Sequence, residues 1–570
     1  MPDHDLVIRG GTVIDGTGRA PIDADVAIKN GKIAQVGTVT GTGTEEIDAR
    51  GKLVTPGFVD IHTHYDAQAV WDPHLAPSAQ HGVTTVVMGN CGVGFAPCKP
   101  ADRDRLIELM EGVEDIPGAI MNEGLKWEWE SFGEYLDALD RRPRDIDICA
   151  LLPHAAVRVF VMGERALALE NANQGDIAQM REIAREAMKA GAFGFSTSRT
   201  ISHKTLKGDH TPTMKAQEEE LTGIAMGMKD AGSGMMEIVS EWAPDPDAEF
   251  AMVRRITEAS GRPTVFTLNQ RHARPEVWRD LLRHADKAAA DGVPIRPVFG
   301  PRATGALLGL SGSQNPFSGT RTYQTIADLP LAERVARMRD PEIKAKILSE
   351  DPKEFNKFPL FDRLRWDLMF RFGNPPIYEP KAADSFAAIA AREGRTPEEV
   401  TYDALLESDG TDFIYTTISS YAYGDLRMAE QLLGNRNCIM GLGDGGAHVA
   451  FILDAGFQTW MLTHWGRDLG KFSTQELIRR VTSDTAEAAG LHDRGILRAG
   501  MKADVNVIDW DRLGSGKPYI AHDLPAGGKR LLQDVYGYEA TIVSGQVTYR
   551  EGIATGALPG KLVRGPQAGG

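Results

Sequence analysis

Two histidines two positions apart, His62 and His64, end an apolar, β-prone run in Thr55-Pro56-Gly57-Phe58-Val59-Asp60-Ile61-His62-Thr63-His64-Tyr65-Asp66. Side chains two apart on a strand share a face, so both imidazoles can reach one cation beyond the strand's end. Neutral imidazole is a common metal ligand, and a divalent ion so held opens hydrolytic chemistry.

Such a pair needs a rigid support, and the chain is long enough to build one. Its 570 residues, 42% apolar and 25% charged, exclude a disordered, coiled-coil or collagen-like chain. In the middle of the chain, apolar runs at 84–88, 147–152, 192–196, 234–239, 263–268, 295–299, 412–418 and 438–443 alternate with amphipathic helical stretches. That alternation predicts an α/β fold with a parallel, TIM-like (β/α)8 barrel. Helix signals agree: Asp176 starts a helix over 177–189 that Gly191 stops, and Ser473-Thr474-Gln475-Glu476 has capping-box spacing. Both chain ends read as short strands, and Asn30-Gly31 between 26–28 and 32–36 is a type I′ hairpin signal. From 329 to 394 the alternation lapses into a charged, proline-punctuated helical insertion carrying Phe355, Phe358, Phe361, Trp366, Phe370, Phe372 and Tyr378. In a barrel's loops such a segment is a lid over the site, or it uses its aromatics to pack onto the barrel.

Charge and cysteine usage narrow the partners. A net charge of −16 repels phosphate backbones and anionic lipid, so neither nucleic acid nor a membrane is expected as partner. Cys91, Cys98, Cys149 and Cys438 are too few and too scattered for a disulfide framework, and the N-terminus lacks the pattern of a signal peptide. A cytoplasmic protein is expected.

With these motifs in place, the sequence resembles the amidohydrolase superfamily, and within it the D-aminoacylase (N-acyl-D-amino-acid deacylase) branch. The likeness runs from Leu6-Val7-Ile8-Arg9-Gly10-Gly11 to Asp493-Arg494-Gly495-Ile496-Leu497. It implies a metal-dependent barrel over 57–489 and a small β-sandwich built from 1–56 and 490–570. Gly89-Asn90-Cys91-Gly92 resembles the branch motif whose thiolate is a zinc ligand, which makes Cys91 a candidate ligand beside His62 and His64. Gly443-Asp444-Gly445-Gly446 resembles the last barrel strand's Ser-Asp-Gly, whose aspartate takes a proton from the attacking water and delivers it to the leaving nitrogen. A base in that role must stay ionised at neutral pH, which a nearby cation ensures. Gly191-Ala192-Phe193-Gly194-Phe195-Ser196-Thr197-Ser198 resembles a further strand of the branch and marks the fold.

Two family ligands are missing. The histidines of the branch's His-x-Arg and Ser-His-x-Lys motifs have no counterpart in 234–241 and 264–272, where Glu237 and Asn269 stand at or near the vacated positions and His272 follows three residues later. The metal set is then His62, His64, Cys91, Asp444 and Glu237, and one Zn²⁺ is expected in preference to two. The branch's carboxylate-binding Arg and Lys are missing too, which leaves His203, Lys204, Asn269, Arg271 and His448 as candidate substrate contacts, with Arg199 and Arg302 as further loop cations. The expected activity is hydrolysis of an amide-type C–N bond, foremost deacylation of an N-acyl amino acid, with a small-molecule amide as partner and homo-oligomerisation left open. The alternatives are cyclic-amide, other amide or peptide, or deaminase chemistry on the same scaffold, and a catalytically silent binding homologue.

Overall fold

The computed structural model describes residues 2–355 and 365–565. Phe358 and Phe361 lie outside the described residues. Eight parallel strands follow one another round a nearly closed barrel: β1 (Phe58–Asp60), β2 (Val83–Met88), β3 (Asp147–Pro153), β4 (Gly194–Arg199), β5 (Met235–Ser240), β6 (Thr264–Thr267), β7 (Ile295–Phe299) and β8 (Ile439–Met440). Val59, Ile61, Val87, Leu151, Phe193, Val265 and Val298 form an apolar cluster at its strands, so the barrel is a filled core.

One expected strand is misplaced. The run 412–418 forms Ile414–Ser419, which pairs antiparallel with Thr304–Leu308 and Met369–Arg371 in a separate three-stranded sheet. The eighth barrel place belongs instead to β1, only three residues long. Ile414 and its neighbours are buried against Leu308, Phe386 and Val400 of the excursion itself, and a short apolar run reads the same whichever core buries it. The chain thus leaves the barrel after β7 and returns only through helix Arg427–Gly434 into β8. Phe372 and Tyr378 pack on Tyr415, and Tyr378 also meets Trp460 on the barrel side, so these aromatics serve as packing area.

The long helix is capped one turn earlier than Asp176 implied. It spans Gln174–Ala190, Asn173 is its N-cap, Asp176 closes the capping box from the third position, and Gly191 ends it in the left-handed region. An Asp at that third position does the work usually given to Glu. The Ser473 capping box forms as expected, and Asn30-Gly31 turns Ile22–Lys29 into Lys32–Gly37.

Both termini enter one nine-stranded sheet. Val505–Ile508 pairs antiparallel with Leu53–Pro56 on one side and Tyr538–Val543 on the other, and Val54, Val505, Val507 and Ile542 share its core with Ile8 and Val26. The hairpin Gly514–Leu524 and Gly528–Tyr536 leaves this sheet and reaches the far end of the barrel, where the Leu531 N–H donates to Val449 O at 2.6 Å.

A buried ionic group joins barrel and terminal segment. Arg494 Nη1 donates to Thr85 Oγ1 at 2.7 Å and Asp147 Oδ2 at 2.6 Å, and Lys502 Nζ lies 3.1 Å from the same carboxylate. Removing the guanidinium leaves Asp147 underpaired in the interior. Arg494→Ala is expected to destabilise the fold by about 3 kcal/mol, read as a lower denaturant midpoint, with Arg494→Lys intermediate; an unchanged midpoint in Arg494→Ala contradicts this.

Candidate metal centre and active site

The chemistry-bearing side chains meet at the C-terminal ends of the barrel strands. His62 and His64 sit just past β1 rather than within it, and their rings lie edge to face with centroids 5.4 Å apart. Strand alternation therefore does not place them; the backbone beyond the strand does. The His62 N–H donates to Asp60 Oδ1 at 3.1 Å, the Asp444 N–H donates to His62 O at 3.1 Å, and the His64 N–H donates to Gly445 O at 2.8 Å. The segment after β8 is thus stitched to the segment after β1, and this brings Asp444 to both imidazoles. Asp444 Oδ1 lies 3.4 Å from His62 Nε2 and 3.6 Å from His64 Nε2.

Cys91 enters from the turn after β2, with its backbone at φ 56° and its Sγ 3.5 Å from His62 Nε2. A Cβ on Gly92 would lie 2.9 Å from Thr197 Cα, so the Gly-Asn-Cys-Gly turn can press against β4 only with glycine there. One ligand atom each from His62, His64 and Cys91 lies within 4.8 Å of the others, and all three residues are buried. Glu237, in β5, accepts the Cys91 N–H through Oε2 at 3.1 Å.

Glu114 also reaches the cluster, and the sequence reading missed it. It ends helix Arg103–Glu114, and its Oε2 lies 3.5 Å from His64 Nε2 and 3.7 Å from His448 Nε2. One sequence signal marks it as unusual without placing it at the site. A Glu-Asp pair ahead of Ile116-Pro117 puts negative charge at a helix C-terminus, where the macrodipole favours cations.

The electrostatics are those of acids crowded into a largely buried site. Burial raises Glu237 to about 8, Glu114 to about 7 and Asp66 to about 6. Burial, then the charges of Glu114, Glu237, Asp444 and Asp66, pushes the Cys91 thiol well above its ordinary range. Burial lowers His62 to about 4 and His448 to about 4. His64 departs from them: burial opposes its charge, but Glu114, Asp444 and Asp66 together lift it to about 9. For Asp444 burial acts upward, yet the hydrogen bond from His64 and the charges of His62, His64 and His448 bring it to about 2. The donors suit a divalent cation. Beside the N, S and carboxylate ligand types, the buried atoms His64 Nδ1, Asn90 Oδ1, Glu114 Oε1, Glu237 Oε1 and His448 Nδ1 have no hydrogen-bond partner among the described residues.

The remaining candidates divide. His203 is half-buried, holds Ser198 Oγ at 2.7 Å through Nδ1, and is brought down to about 3 by burial and the charges of His64 and His448. His448 faces Glu114, as above. Arg271 instead pairs with Glu241 and donates to Thr200 Oγ1 at 3.3 Å. Lys204 lies on the loop after β4, where its backbone bridges to His210, and Asn269 follows β6 half-buried. Neither is among the principal charges and hydrogen bonds acting on His64 and Asp444. His272 points its Nε2 at Thr417 O, 3.2 Å away. Arg302, expected as a loop cation, is fully buried: it pairs with Asp454 at 3.2 Å and lies 3.5 Å over the Tyr378 ring, because the excursion after β7 folds over it.

A family model described as amidohydrolase family matches residues 45–549. The chain belongs to the amidohydrolase family. It is therefore a hydrolase acting on carbon–nitrogen bonds other than peptide bonds. It is 32% identical to a D-aminoacylase of Alcaligenes xylosoxydans xylosoxydans, over 98% of this chain and 97% of that one. Among solved structures, a D-aminoacylase studied for its binuclear metal centre shares 21% identity at TM-score 0.64, covering 98% of this chain and all of that one. An N-acyl-D-glutamate deacylase from Bordetella bronchiseptica, in complex with zinc and a phosphonate inhibitor, shares 22% at TM-score 0.64, covering 98% and 99%. The fold of this amidohydrolase is theirs. No helix among its described residues is long and apolar enough to cross a membrane.

Gly446 tests how tightly the two segments must meet. It sits at φ +90°, and a Cβ there would lie 2.7 Å from His64 O. Gly446→Ala is expected to displace His64 and weaken divalent-ion binding by about tenfold or more, with the far-UV spectrum unchanged; retention of full affinity shows that the contact can give way.

Proposed function

We propose that this amidohydrolase deacylates an N-acyl-D-amino acid by metal-assisted hydrolysis. The observation that carries the reading is the buried group of His62, His64 and Cys91 at the barrel mouth, with Asp444 Oδ1 3.4 Å and 3.6 Å from the two imidazoles. The near full-length similarity to a D-aminoacylase supports the substrate class. His62, His64 and Cys91 would hold one Zn²⁺, with Glu237 free through Oε1 to complete the set from β5. An ion in that place would polarise a scissile carbonyl and lower the pKa of water to about 7.

The protein's own groups do the rest. Asp444 is ionised and held between the imidazoles, so its carboxylate accepts a proton from the attacking water. As the acid it then returns that proton to the departing amine nitrogen. Its position is fixed by its own N–H donating to His62 O and by the His64 N–H donating to the adjacent Gly445 O, so little reorganisation is needed as the proton moves. His203 and His448 flank the site as substrate contacts, and the Arg271–Glu241 pair beyond them can meet a polar end of the substrate. All four cysteines are free buried thiols, which suits work in the cytoplasm.

Purified protein is expected to carry about one equivalent of zinc or a similar divalent ion, and His62→Ala to lose most of it, measured by elemental analysis. With the metal loaded, N-acyl-D-amino acids should be hydrolysed and their L enantiomers spared; no turnover of any member of such a panel overturns the reading. Asp444→Asn should bind metal yet lower kcat by about a hundredfold or more, and near-normal turnover removes Asp444 from its role.

A further inference from the structure

Glu114 is the buried carboxylate that the proposed chemistry leaves unused. Asp444 is taken up by the two imidazoles, and three other carboxylates of the cluster answer to backbone donors: Asp60 to the His62 N–H, Asp66 to the Gly89 N–H, Glu237 to the Cys91 N–H. Glu114 differs. Its Oε2 faces the Nε2 atoms of His64 and His448, and its Oε1 has no hydrogen-bond partner among the described residues. A buried carboxylate in that state is costly unless a cation completes it.

The spacing fits a small divalent cation shared between the donors. Two ligands bonded to one Zn²⁺-sized ion at about 2.0–2.3 Å, at a tetrahedral angle, lie about 3.3–3.7 Å apart. His62 Nε2 to Asp444 Oδ1 is 3.4 Å, His62 Nε2 to Cys91 Sγ is 3.5 Å, and His64 Nε2 to Asp444 Oδ1 is 3.6 Å. His64 Nε2 to Glu114 Oε2, at 3.5 Å, belongs to the same series. A good charged hydrogen bond would bring these atoms to about 2.7–2.9 Å. The backbone is committed as well: Glu114 O accepts the His448 N–H at 2.5 Å, and Asp115 turns the chain at φ 51° directly after it. This fixes the end of helix Arg103–Glu114 against the loop that carries Asp444. The helix dipole there is negative, and a cation at the Glu114 carboxylate would offset both charges.

We propose that Glu114 is a metal ligand of this centre, an oxygen donor beside His64, with His448 as a positioning residue on its other flank. The proposal rests on the metal-centre reading above. It places a ligand on the helix between β2 and β3, and the motifs at the strand ends do not announce it.

The test uses the full chain, stripped of metal and titrated with Co²⁺, read by its thiolate-to-cobalt charge-transfer band and its d–d bands. Wild type should show both. Glu114→Gln, which keeps size and removes the anionic donor, should keep the thiolate band from Cys91, change the d–d bands and lower Co²⁺ affinity by about tenfold or more. Glu114→Asp should recover part of that affinity, and His448→Ala should lower affinity with smaller spectral change. Unaltered d–d bands and an affinity within about twofold in both Glu114 variants overturn the assignment while leaving the metal centre standing. If wild type shows no thiolate band and Cys91→Ala binds Co²⁺ equally well, the metal-centre reading fails and this inference fails with it. Matching thermal midpoints for wild type and Glu114→Gln exclude misfolding as the cause.

Discussion

Crowding acids around two buried imidazoles is the constraint on which the rest of the structure depends. Cys91, Glu114, Glu237, Asp66 and Asp444 all lie close enough for their charges to act on one another, and burial raises most of them. Such a group is relieved by protonation, as the raised carboxyls show, or by positive charge at its centre. His64 gathers that charge, which is why it alone among the buried histidines of the site moves upward. A divalent ion would take over the same duty more fully, since it can be shared by several donors at once. The site is therefore electrostatic first: the imidazoles that relieve the crowded carboxylates also hold Asp444 ionised.

Holding mutually repelling groups in place requires a frame that does not yield. β1 and β8 are short, so the loops beyond them are secured by bonds to one another rather than by their strands. From above, Leu307 donates to Phe451 O, Leu531 to Val449 O and Arg302 to Leu453 O, which ties the segment after Asp444 to the excursion and to the C-terminal hairpin. From below, Arg494 and Lys502 anchor β3 through Asp147. The sheet built from both termini thus contributes at both ends of the barrel: one part locks the floor, and one hairpin steadies the mouth. Rigid support for a site on loops is what this barrel architecture ordinarily needs.

What could be read in the sequence followed from how local each feature is. His62-x-His64, the Gly-Asn-Cys-Gly turn and Gly-Asp-Gly-Gly each pack ligand and backbone requirement into a few residues, so type and spacing were legible together. Glu237 was legible through its place in a strand whose neighbours could be ordered. Glu114 was not, because its proximity to His64 comes from a helix ending where another loop passes, a tertiary fact with no short motif. The run 412–418 was misread because burial by the excursion's own core leaves the same apolar pattern as burial in the barrel. Arg302 looked like a loop cation for the complementary reason: nothing within its own segment foretells that Tyr378 will cover it.

These placements also bear on how specificity can arise. Three arginines beyond the metal point are each engaged with a carboxylate: Arg271 with Glu241, Arg199 with Glu249, Arg302 with Asp454. They differ in freedom. Arg302 and Asp454 are sealed under Tyr378 and Trp460, so that pair is structural. Arg199 is tied additionally to the Ala216 carbonyl, and Ser240 Oγ bonds its partner Glu249. Arg271 and Glu241 sit on the loops after β6 and β5 and keep about a third and a sixth of their side-chain surface exposed, at 35% and 16%. A partly solvated pair gains little from its own attraction and can exchange partners cheaply. Of the three, it is the pair whose guanidinium a substrate carboxylate could engage without breaking the frame that holds Asp444, so chemistry and recognition can occupy one barrel mouth without competing for the same supports.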